Sequence, residues 1–228
     1  VLEGEAADKR VLVPTGPISE DWKGGGAFDD STWSLCTGGP GGVGFERGSG
    51  YDDLITLDTE SQMYGNGNNT TCYVRIPFSV DGSVLPRIDG LTLKIRCDDA
   101  FVAYLNGQEI ARDNFTGTPV LNSHADGAIS GDSSVEDFDA YVDLTPLLGQ
   151  LKAGANVLAL HAMNSSLTSS DFLIGVAVDA ICVRIDNSLL FENELNLLAD
   201  LRVTEVMYRA AEGNALDFVE LQNVGAQV

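Results

Sequence analysis

Few residues in this chain stand in an arrangement that supports catalysis. The two histidines lie apart: His124 is in a polar loop, and His161 is in an alternating apolar segment, where a core or edge histidine is commoner than a catalytic base. The sequence contains no G-x-S-x-G, H-E-x-x-H or EF-hand calcium loop. Paired carboxylates cannot be chosen among 34 acidic residues, because their separation in space decides whether they act together. The sequence therefore predicts a protein that is not an enzyme.

Two further patterns look like ligand sites and are rejected on their surroundings. Residues 39–44 match G-x-G-x-x-G, but a dinucleotide fingerprint needs a strand before it and a helix after it, and residues 45–51 are predicted to be a loop. The cysteines lack C-x-x-C spacing, which argues against zinc. They can form two disulfides in any of three pairings, or they can remain small buried thiols. The four cysteines are Cys36, Cys72, Cys97 and Cys182.

The charge of the chain argues against two classes of partner. Thirteen basic residues stand against 34 acidic ones, so the formal net charge is −21. Such a charge disfavours binding to nucleic acid and to an anionic membrane surface. The apolar stretch 172–185 is too short to cross a bilayer and contains Asp179 and Arg184. We therefore expect neither a nucleic-acid partner nor insertion into a membrane.

Short segments of alternating hydrophobicity predict that strands position whatever site the chain has. The run 91–97 places alternate apolar residues on one face. Asn106-Gly107 separates two such segments and is the sequence typical of a type I′ hairpin. One helical turn is predicted at 145–148, with Thr145 as its cap and Pro146 at its first position. Other predicted strands cover residues 10–13, 72–78, 156–163, 172–185, 201–208 and 216–221. Many short strands indicate an all-β sandwich or jelly roll.

Four motifs follow one another along most of the chain. They are F-D-D-S-T-W at 28–33, G-V-G-F-E at 42–46, the hairpin containing Y-L-N-G at 98–112, and the segment 153–172, which begins A-G-A-N-V-L-A-L-H and ends S-S-D-F. In this order they resemble the galactose-binding-like jelly-roll domains attached to many secreted glycan-processing and cell-surface proteins of bacteria. The resemblance implies a jelly-roll β-sandwich over residues 1–187.

A different pattern follows this region. Residues 201–208 read L-R-V-T-E-V-M-Y, and residues 217–225 read D-F-V-E-L-Q-N-V-G. They resemble the opening of the bacterial lamin tail domain, an immunoglobulin-like sandwich, which implies a linker at 188–200 and an incomplete domain at 201–228. Two strands rarely bury enough area to stand alone, so the chain is expected to be part of a longer protein. This order of domains resembles large secreted or surface proteins of planctomycete-type bacteria, and implies an extracellular or cell-surface location.

The resemblance to galactose-binding-like domains implies a non-catalytic carbohydrate-binding or adhesion module of a larger protein. In such a module exposed aromatic faces stack on sugar rings, and polar loop groups bond to the sugar hydroxyls. The polar loop 64–70, which carries one tyrosine, would suit the rim of a binding site. The candidate ligand-binding residues are Trp33, Arg47, Tyr51, Tyr64, Asp98, Asp99, His124 and Asn164.

Calcium is the one cofactor that the sequence leads us to expect. Asp98-Asp99 resembles the paired aspartates of protective-antigen-type lectin domains, which hold calcium and a sugar, although Ala100 stands where a glycine is common. Hydrogen bonding at the entry of the hairpin is the structural alternative for this pair. Jelly rolls of this type often carry a structural calcium ion, whose ligands the sequence does not assign.

A second function competes with carbohydrate binding. The chain would then be a structural module of a surface layer or filament, and its partners would be other copies of itself or neighbouring domains. Free sheet edges, including those of an incomplete C-terminal sandwich, would supply the contacts.

Overall fold

The computed structural model describes residues 2–129, 135, 140–182, 201–207 and 218–223. The chain divides into two compact units, Val1–Val183 and Arg184–Val228, called unit 1 and unit 2 below. The predicted linker at 188–200 lies outside the described residues. Unit 1 consists of two β-sheets, which confirms the predicted all-β sandwich.

The strands of unit 1 form one six-stranded and one five-stranded sheet. Its strands are β1 (Lys9–Leu12), β2 (Ser34–Cys36), β3 (Gly42–Glu46), β4 (Ile55–Asp58), β5 (Thr71–Val80), β6 (Ile88–Asp98), β7 (Ala100–Leu105), β8 (Gln108–Asp113), β9 (Ala140–Asp143), β10 (Gly154–Met163) and β11 (Asp171–Cys182). The six-stranded sheet has the order β2-β1-β5-β10-β7-β8, and the five-stranded sheet has the order β4-β3-β11-β6-β9. Neighbours are antiparallel except β3 and β4, which are parallel.

Unit 2 contributes one pair of strands to the described residues. These are β12 (Leu201–Met207) and β13 (Phe218–Asn223), which pair antiparallel with a register shift between Val203 and Glu205. Strand β12 lies within the predicted segment 201–208, and β13 overlaps the predicted segment 216–221 but ends two residues later. The resemblance to a lamin tail domain stays a prediction.

Helical segments are short. Helix α1 covers Glu60–Met63, Val135 is also helical, and 3-10 turns cover Glu20–Lys23, Asp52–Leu54, Leu85–Arg87 and Thr145–Gln150. The turn predicted at 145–148 is present, but Thr145 is not its cap. The carboxylate of Asp143 instead accepts a hydrogen bond from the Thr145 N–H at 2.9 Å, and the Thr145 hydroxyl accepts one from Leu91 N–H at 3.2 Å. None of the helices in the described residues is long and apolar enough to cross a membrane.

The core between the sheets follows the predicted alternation. On β6, Leu91, Leu93 and Ile95 are buried, whereas Thr92 and Lys94 between them are partly exposed. Burying each of these aliphatic side chains stabilises the fold by about 1.5–3 kcal/mol. The opposite sheet supplies the facing apolar residues from β5 and β10.

The outer face of the six-stranded sheet is also covered, which alternation alone did not predict. An aromatic layer of Trp22, Trp33, Tyr73 and Tyr104 lies there, and all four side chains are buried. Arg75 fastens the loop that carries the tryptophans: its Nε donates to the Asp30 carboxylate at 2.7 Å, and its guanidinium donates to the Trp22 carbonyl. Strand β7 is consequently buried on both faces.

The hairpin prediction is confirmed by backbone geometry. Asn106 has φ 52° and Gly107 has φ 87°, the two positive values that a type I′ turn requires. Strands β7 and β8 pair on either side of this turn.

Two smaller predictions from the sequence are corrected. All four cysteines are free thiols, so the disulfide alternative is wrong; Cys36 and Cys72 are buried, but Cys182 is exposed. Residues 42–46 form strand β3 and do not belong to a loop, although no helix N-terminus follows that could hold a phosphate.

Candidate functional site

One polar loop at an end of unit 1 is tied to its neighbours by asparagine side chains. Helix α1 opens the loop, and Met63 anchors it in the core. Asn68 Nδ2 donates to the Tyr64 carbonyl at 2.5 Å. Asn69 Nδ2 donates to the carbonyls of Pro14 and Leu121, at 2.8 and 2.9 Å, and so joins three loops that are far apart in the sequence.

These three loops and the start of β2 enclose a cleft of about 640 Å³, which we call the amide cleft. Its walls are formed by residues 11–15, 32–34, 61–62, 67–69 and 121–122. The volume lies within the range of about 300–1,000 Å³ that is usual for small-molecule sites. The cleft is therefore large enough to hold a ligand of that size.

Several polar side chains of the amide cleft are uncharged and make no hydrogen bond that a ligand would have to displace. Gln62 and Asn122 are exposed, and neither side-chain amide makes a hydrogen bond to the described residues. The same holds for the hydroxyls of Thr15, Thr32 and Ser34. None of the fifteen described residues that line the cleft has an ionisable side chain. The lining offers neutral donors and acceptors side by side.

Trp33 lines the amide cleft but does not present an open face to it. Only 6% of its surface is exposed. Its ring centroid lies 5.6 Å from that of Phe28, 6.3 Å from Trp22 and 6.5 Å from Tyr73. The expectation of an exposed stacking surface at Trp33 is corrected, because the aromatic layer covers most of the ring.

The structure brings Tyr51, Asp98 and Asp99 together in a buried group, where Tyr51 packs against Leu173 and not in the core between the sheets. The Tyr51 hydroxyl donates to Asp98 Oδ2 at 2.8 Å, and Tyr51 is 1% exposed, so it too lacks the free face expected of a sugar platform. The two oxygens of Asp99 accept hydrogen bonds from Ile129 N–H and Ser165 N–H, both at 2.6 Å. These bonds fix two loops to the entry of the hairpin.

The electrostatics of this acidic pair follow from burial. Burial of Asp98, its hydrogen bond to Asp99 and the Asp99 charge raise the pKa of Asp98 to about 8, and the Tyr51 hydrogen bond partly offsets this. Burial and the Asp98 charge also raise the pKa of Tyr51. Three of the four carboxylate oxygens accept hydrogen bonds from protein donors, as the structural alternative predicts. Calcium at this pair or at other oxygen groups stays an expectation.

No cluster of three or more His, Cys, Asp or Glu side chains suited to a metal ion occurs within the described residues.

Asn164 lies next to the acidic pair and is fully buried. Its Nδ2 donates to the Asp171 carbonyl at 3.1 Å, while its backbone bonds to Thr70 and Ala125. In this position Asn164 joins loops at the end of the sandwich.

Arg47 and Tyr64 form a separate surface pair on the far side of the 60–69 loop. The Arg47 guanidinium lies 3.9 Å from the Tyr64 ring centroid, and Arg47 Nε is 2.8 Å from Glu60 Oε1. A groove of about 390 Å³ beside them is lined by Asp58, Glu60, Ser61 and Tyr64. Tyr64 therefore already has a stacking partner.

His124 is exposed, and its Nδ1 lies 2.9 Å from the Ala125 carbonyl oxygen. It does not line the amide cleft. The predicted residues thus fall into an acidic core group, a surface pair, Trp33 in the cleft, and His124 by itself.

Sequence reasoning missed the available amides of the amide cleft, Gln62 and Asn122. A lone amide in a polar loop carries no pattern, and only the fold brings these two to one place. The loop 64–70, which was expected to suit a rim, does supply three residues of the wall, Gly67, Asn68 and Asn69.

Comparisons with known proteins give solved structures alone. No family model matches the chain, and no curated protein matches it. The chain is similar to Bacteroides uniformis beta-glucuronidase 2 at 15% identity and a TM-score of 0.47, covering 78% of this chain and 17% of that one. A Bacteroides vulgatus beta-glycosidase is similar at 14% identity and a TM-score of 0.41, with 76% and 19% covered.

A third solved structure is the Streptomyces avermitilis alpha-L-rhamnosidase complexed with L-rhamnose. Its identity is 22% and its TM-score 0.31, with 50% of this chain and 9% of that chain covered. The chain thus spans less than a fifth of the length of each of these glycosidases. Similarities at this level do not transfer an activity or a ligand to this chain.

Proposed function

We propose that unit 1 is a non-catalytic carbohydrate-binding module whose ligand occupies the amide cleft. The observation that carries the proposal is the lining of the cleft, in which the described residues combine amides, hydroxyls and one tryptophan without any ionisable side chain. Amides and hydroxyls donate and accept at once, as the hydroxyls of a sugar do. The aliphatic residues of β1 and the edge of Trp33 offer apolar contact for the C–H groups of a sugar ring.

The charge of the protein narrows the ligand to neutral sugars. The chain carries a formal net charge of −21, and none of the described residues that line the cleft is a cation able to pair with a carboxylate or sulfate on the ligand. An acidic sugar would be repelled at long range and left unpaired at short range. A neutral sugar is not repelled by the charge of the protein and has no charged group that needs a partner.

The same lining argues for binding without turnover. Hydrolysis of a glycosidic bond ordinarily needs two carboxyl groups that flank it. No carboxyl group lines the amide cleft in the described residues, and Asp98 and Asp99 lie in the interior away from its walls. We therefore expect binding of intact glycans and no release of reducing sugar.

The test is calorimetric titration of the chain with neutral polysaccharides such as glucomannan, xylan and galactan, and with alginate as an acidic comparison. Saturable binding of a neutral polysaccharide is expected. Gln62→Ala and Asn122→Ala should each weaken it by about 3- to 10-fold, since a net hydrogen bond contributes about 0.5–1.5 kcal/mol. Asn66→Ala is the matched control, an exposed amide of the same loop that does not line the cleft. Binding that survives both cleft variants unchanged, or that prefers alginate, overturns the proposal.

A second function, assembly with other protein copies, is favoured by one observation. Tyr141 on β9 and Ile181 on β11 are 62% and 66% exposed on the outer face of the five-stranded sheet. Exposed large apolar residues of this kind favour contact with another protein. Light scattering of the titration samples separates the two functions: a monomer that binds glycan supports the module, and growth in size without glycan binding supports assembly.

A further inference from the structure

A second, smaller depression lies beside the amide cleft, and we call it the histidine notch. It has a volume of about 200 Å³, and its lining includes Trp22, Tyr73, Val120, Leu121 and His161 together with Glu20 and Lys23, which form an ion pair with each other. Leu121 lines both the notch and the cleft, so one residue separates them. The notch is smaller than the roughly 300 Å³ at which sites for whole ligands begin, which suits it to one part of a longer ligand.

The notch and the amide cleft share a continuous floor. Trp33 belongs to the cleft, and Trp22 and Tyr73 belong to the notch. The ring centroids of Trp22 and Trp33 are 6.3 Å apart, and those of Trp22 and Tyr73 are 4.3 Å apart. The aromatic layer therefore extends under both depressions, and a ligand that crosses Leu121 stays over apolar rings.

His161 gives the notch a specific acceptor. Its Nε2 lies 3.2 Å from Thr71 Oγ1, and Thr71 Oγ1 lies 3.0 Å from the Ser123 carbonyl oxygen. A carbonyl can only accept, so the Thr71 hydroxyl donates to Ser123 and accepts from His161 Nε2–H. The remaining nitrogen, Nδ1, then carries a lone pair.

That lone pair has no protein donor within the described residues. His161 is 2% exposed, and burial lowers its pKa to about 3, so the ring is neutral at physiological pH. The Nδ1 atom itself keeps some exposure to the notch, so a ligand hydroxyl can replace water as its donor there. Sugar hydroxyls are donors of this kind.

We propose that the histidine notch is a second subsite for the same neutral carbohydrate, so that the ligand is an oligosaccharide of at least two sugar units with one hydroxyl bonded to His161 Nδ1. This inference rests on the proposed function, because it takes the amide cleft as the first subsite. The second subsite implies that affinity rises with the number of sugar units in the ligand and that the notch accounts for this rise.

The experiment measures affinity against chain length with cello-, manno-, xylo- and galacto-oligosaccharides of one to six units. For the series that binds, the affinity of the wild type should rise about 10-fold or more over the first two or three units. His161→Gln keeps an amide donor for Thr71 but loses Nδ1, and Val120→Trp fills the mouth of the notch from an exposed position. Both should remove the gain with chain length and leave monosaccharide affinity unchanged.

Ile181→Trp is the matched control, because it adds the same bulk at an exposed position away from the notch. If His161→Gln does not fold, the surface variant Val120→Trp still decides. If the affinity does not change with chain length, or if the variants weaken binding of all lengths equally, the second subsite is overturned. Neither result contradicts the proposal that unit 1 is a carbohydrate-binding module. Absence of binding to all four series and to the polysaccharides overturns the proposed function itself.

Discussion

At the scale of single residues, Asp98 is the group whose ionisation bears most on stability. Its pKa is about 8 in the folded chain against 3.8 for an ordinary aspartate, because of its burial and its contact with Asp99. Between these two values the folded state holds a proton that the unfolded state has released. The contribution of Asp98 to the free energy of unfolding should therefore be greatest below pH 4 and be lost as the pH rises towards 8.

Asp98→Asn tests this sign, since asparagine still accepts from Tyr51 but cannot ionise. We expect the free energy of unfolding of the wild type, relative to that of the variant, to decrease steadily from pH 4.5 to pH 8. Urea denaturation at four or five pH values measures this difference. Acidic residues that do not interact with Asp98 titrate equally in both chains and cancel. Parallel curves over the whole range would show that Asp98 is already ionised in the folded protein.

At the scale of elements, the turn of the β7–β8 hairpin supports the part of the fold that carries the histidine notch. Gly107 N–H donates to the Lys23 carbonyl at 2.9 Å, and Lys23 ends the 3-10 turn that holds Trp22. A Cβ on Gly107 would lie 2.6 Å from Gly25 Cα and 2.7 Å from Gly25 N. The hairpin tip and the loop that carries the aromatic layer are therefore in backbone contact.

Gly107→Ala should destabilise the chain by about 2–4 kcal/mol, because a positive φ and a backbone clash act together. Gly65→Ala is the matched control: its φ is +92°, but nothing lies within 4 Å of the added Cβ. The control should lose only about 1 kcal/mol, the cost of the left-handed conformation alone. Equilibrium urea unfolding of both variants gives the comparison, and equal losses would contradict the clash.

The longer strands were predictable from alternation, and most of the short elements were not. Alternation identified most of β5, β6, β10 and β11, because each is long and has one face in the core. Strand β2 has three residues and β4 and β9 have four, too few for a period to show. The aromatic layer escaped prediction because loops bury the outer face of the six-stranded sheet, so residues such as Tyr73 look like exposed positions in the sequence.

The candidate site was predictable only in part for the same reason. Trp33 and the loop 64–70 were identified by their composition, and both do line the amide cleft. Asp98, Tyr51 and Asn164 were also identified by residue type, yet the fold uses them as buried hydrogen-bonding groups. The position of a residue at a strand end does not show whether its side chain lines a cleft or is buried. That depends on how the loops close over the sheet.

At the scale of the whole molecule, the stability of the chain and its affinity for the proposed ligand should respond differently to salt. A net charge of −21 on a chain of 228 residues produces self-repulsion in the folded state. Salt shortens the range of that repulsion, since the Debye length is about 10 Å at 0.1 M and about 3 Å at 1 M. The midpoint of urea unfolding should therefore rise between 50 and 500 mM NaCl.

Affinity for a neutral glycan should stay constant over the same salt range, within about 2-fold. The described lining of the amide cleft holds no charged residue, and a neutral ligand carries no counterions to release. Calorimetric titration with the neutral polysaccharide that binds most tightly measures this directly. The concurrent rise in stability serves as an internal control that the salt is acting on the protein. A Kd that increases steeply with salt would mean that the ligand is held by ionic contacts, which would place its site outside the amide cleft.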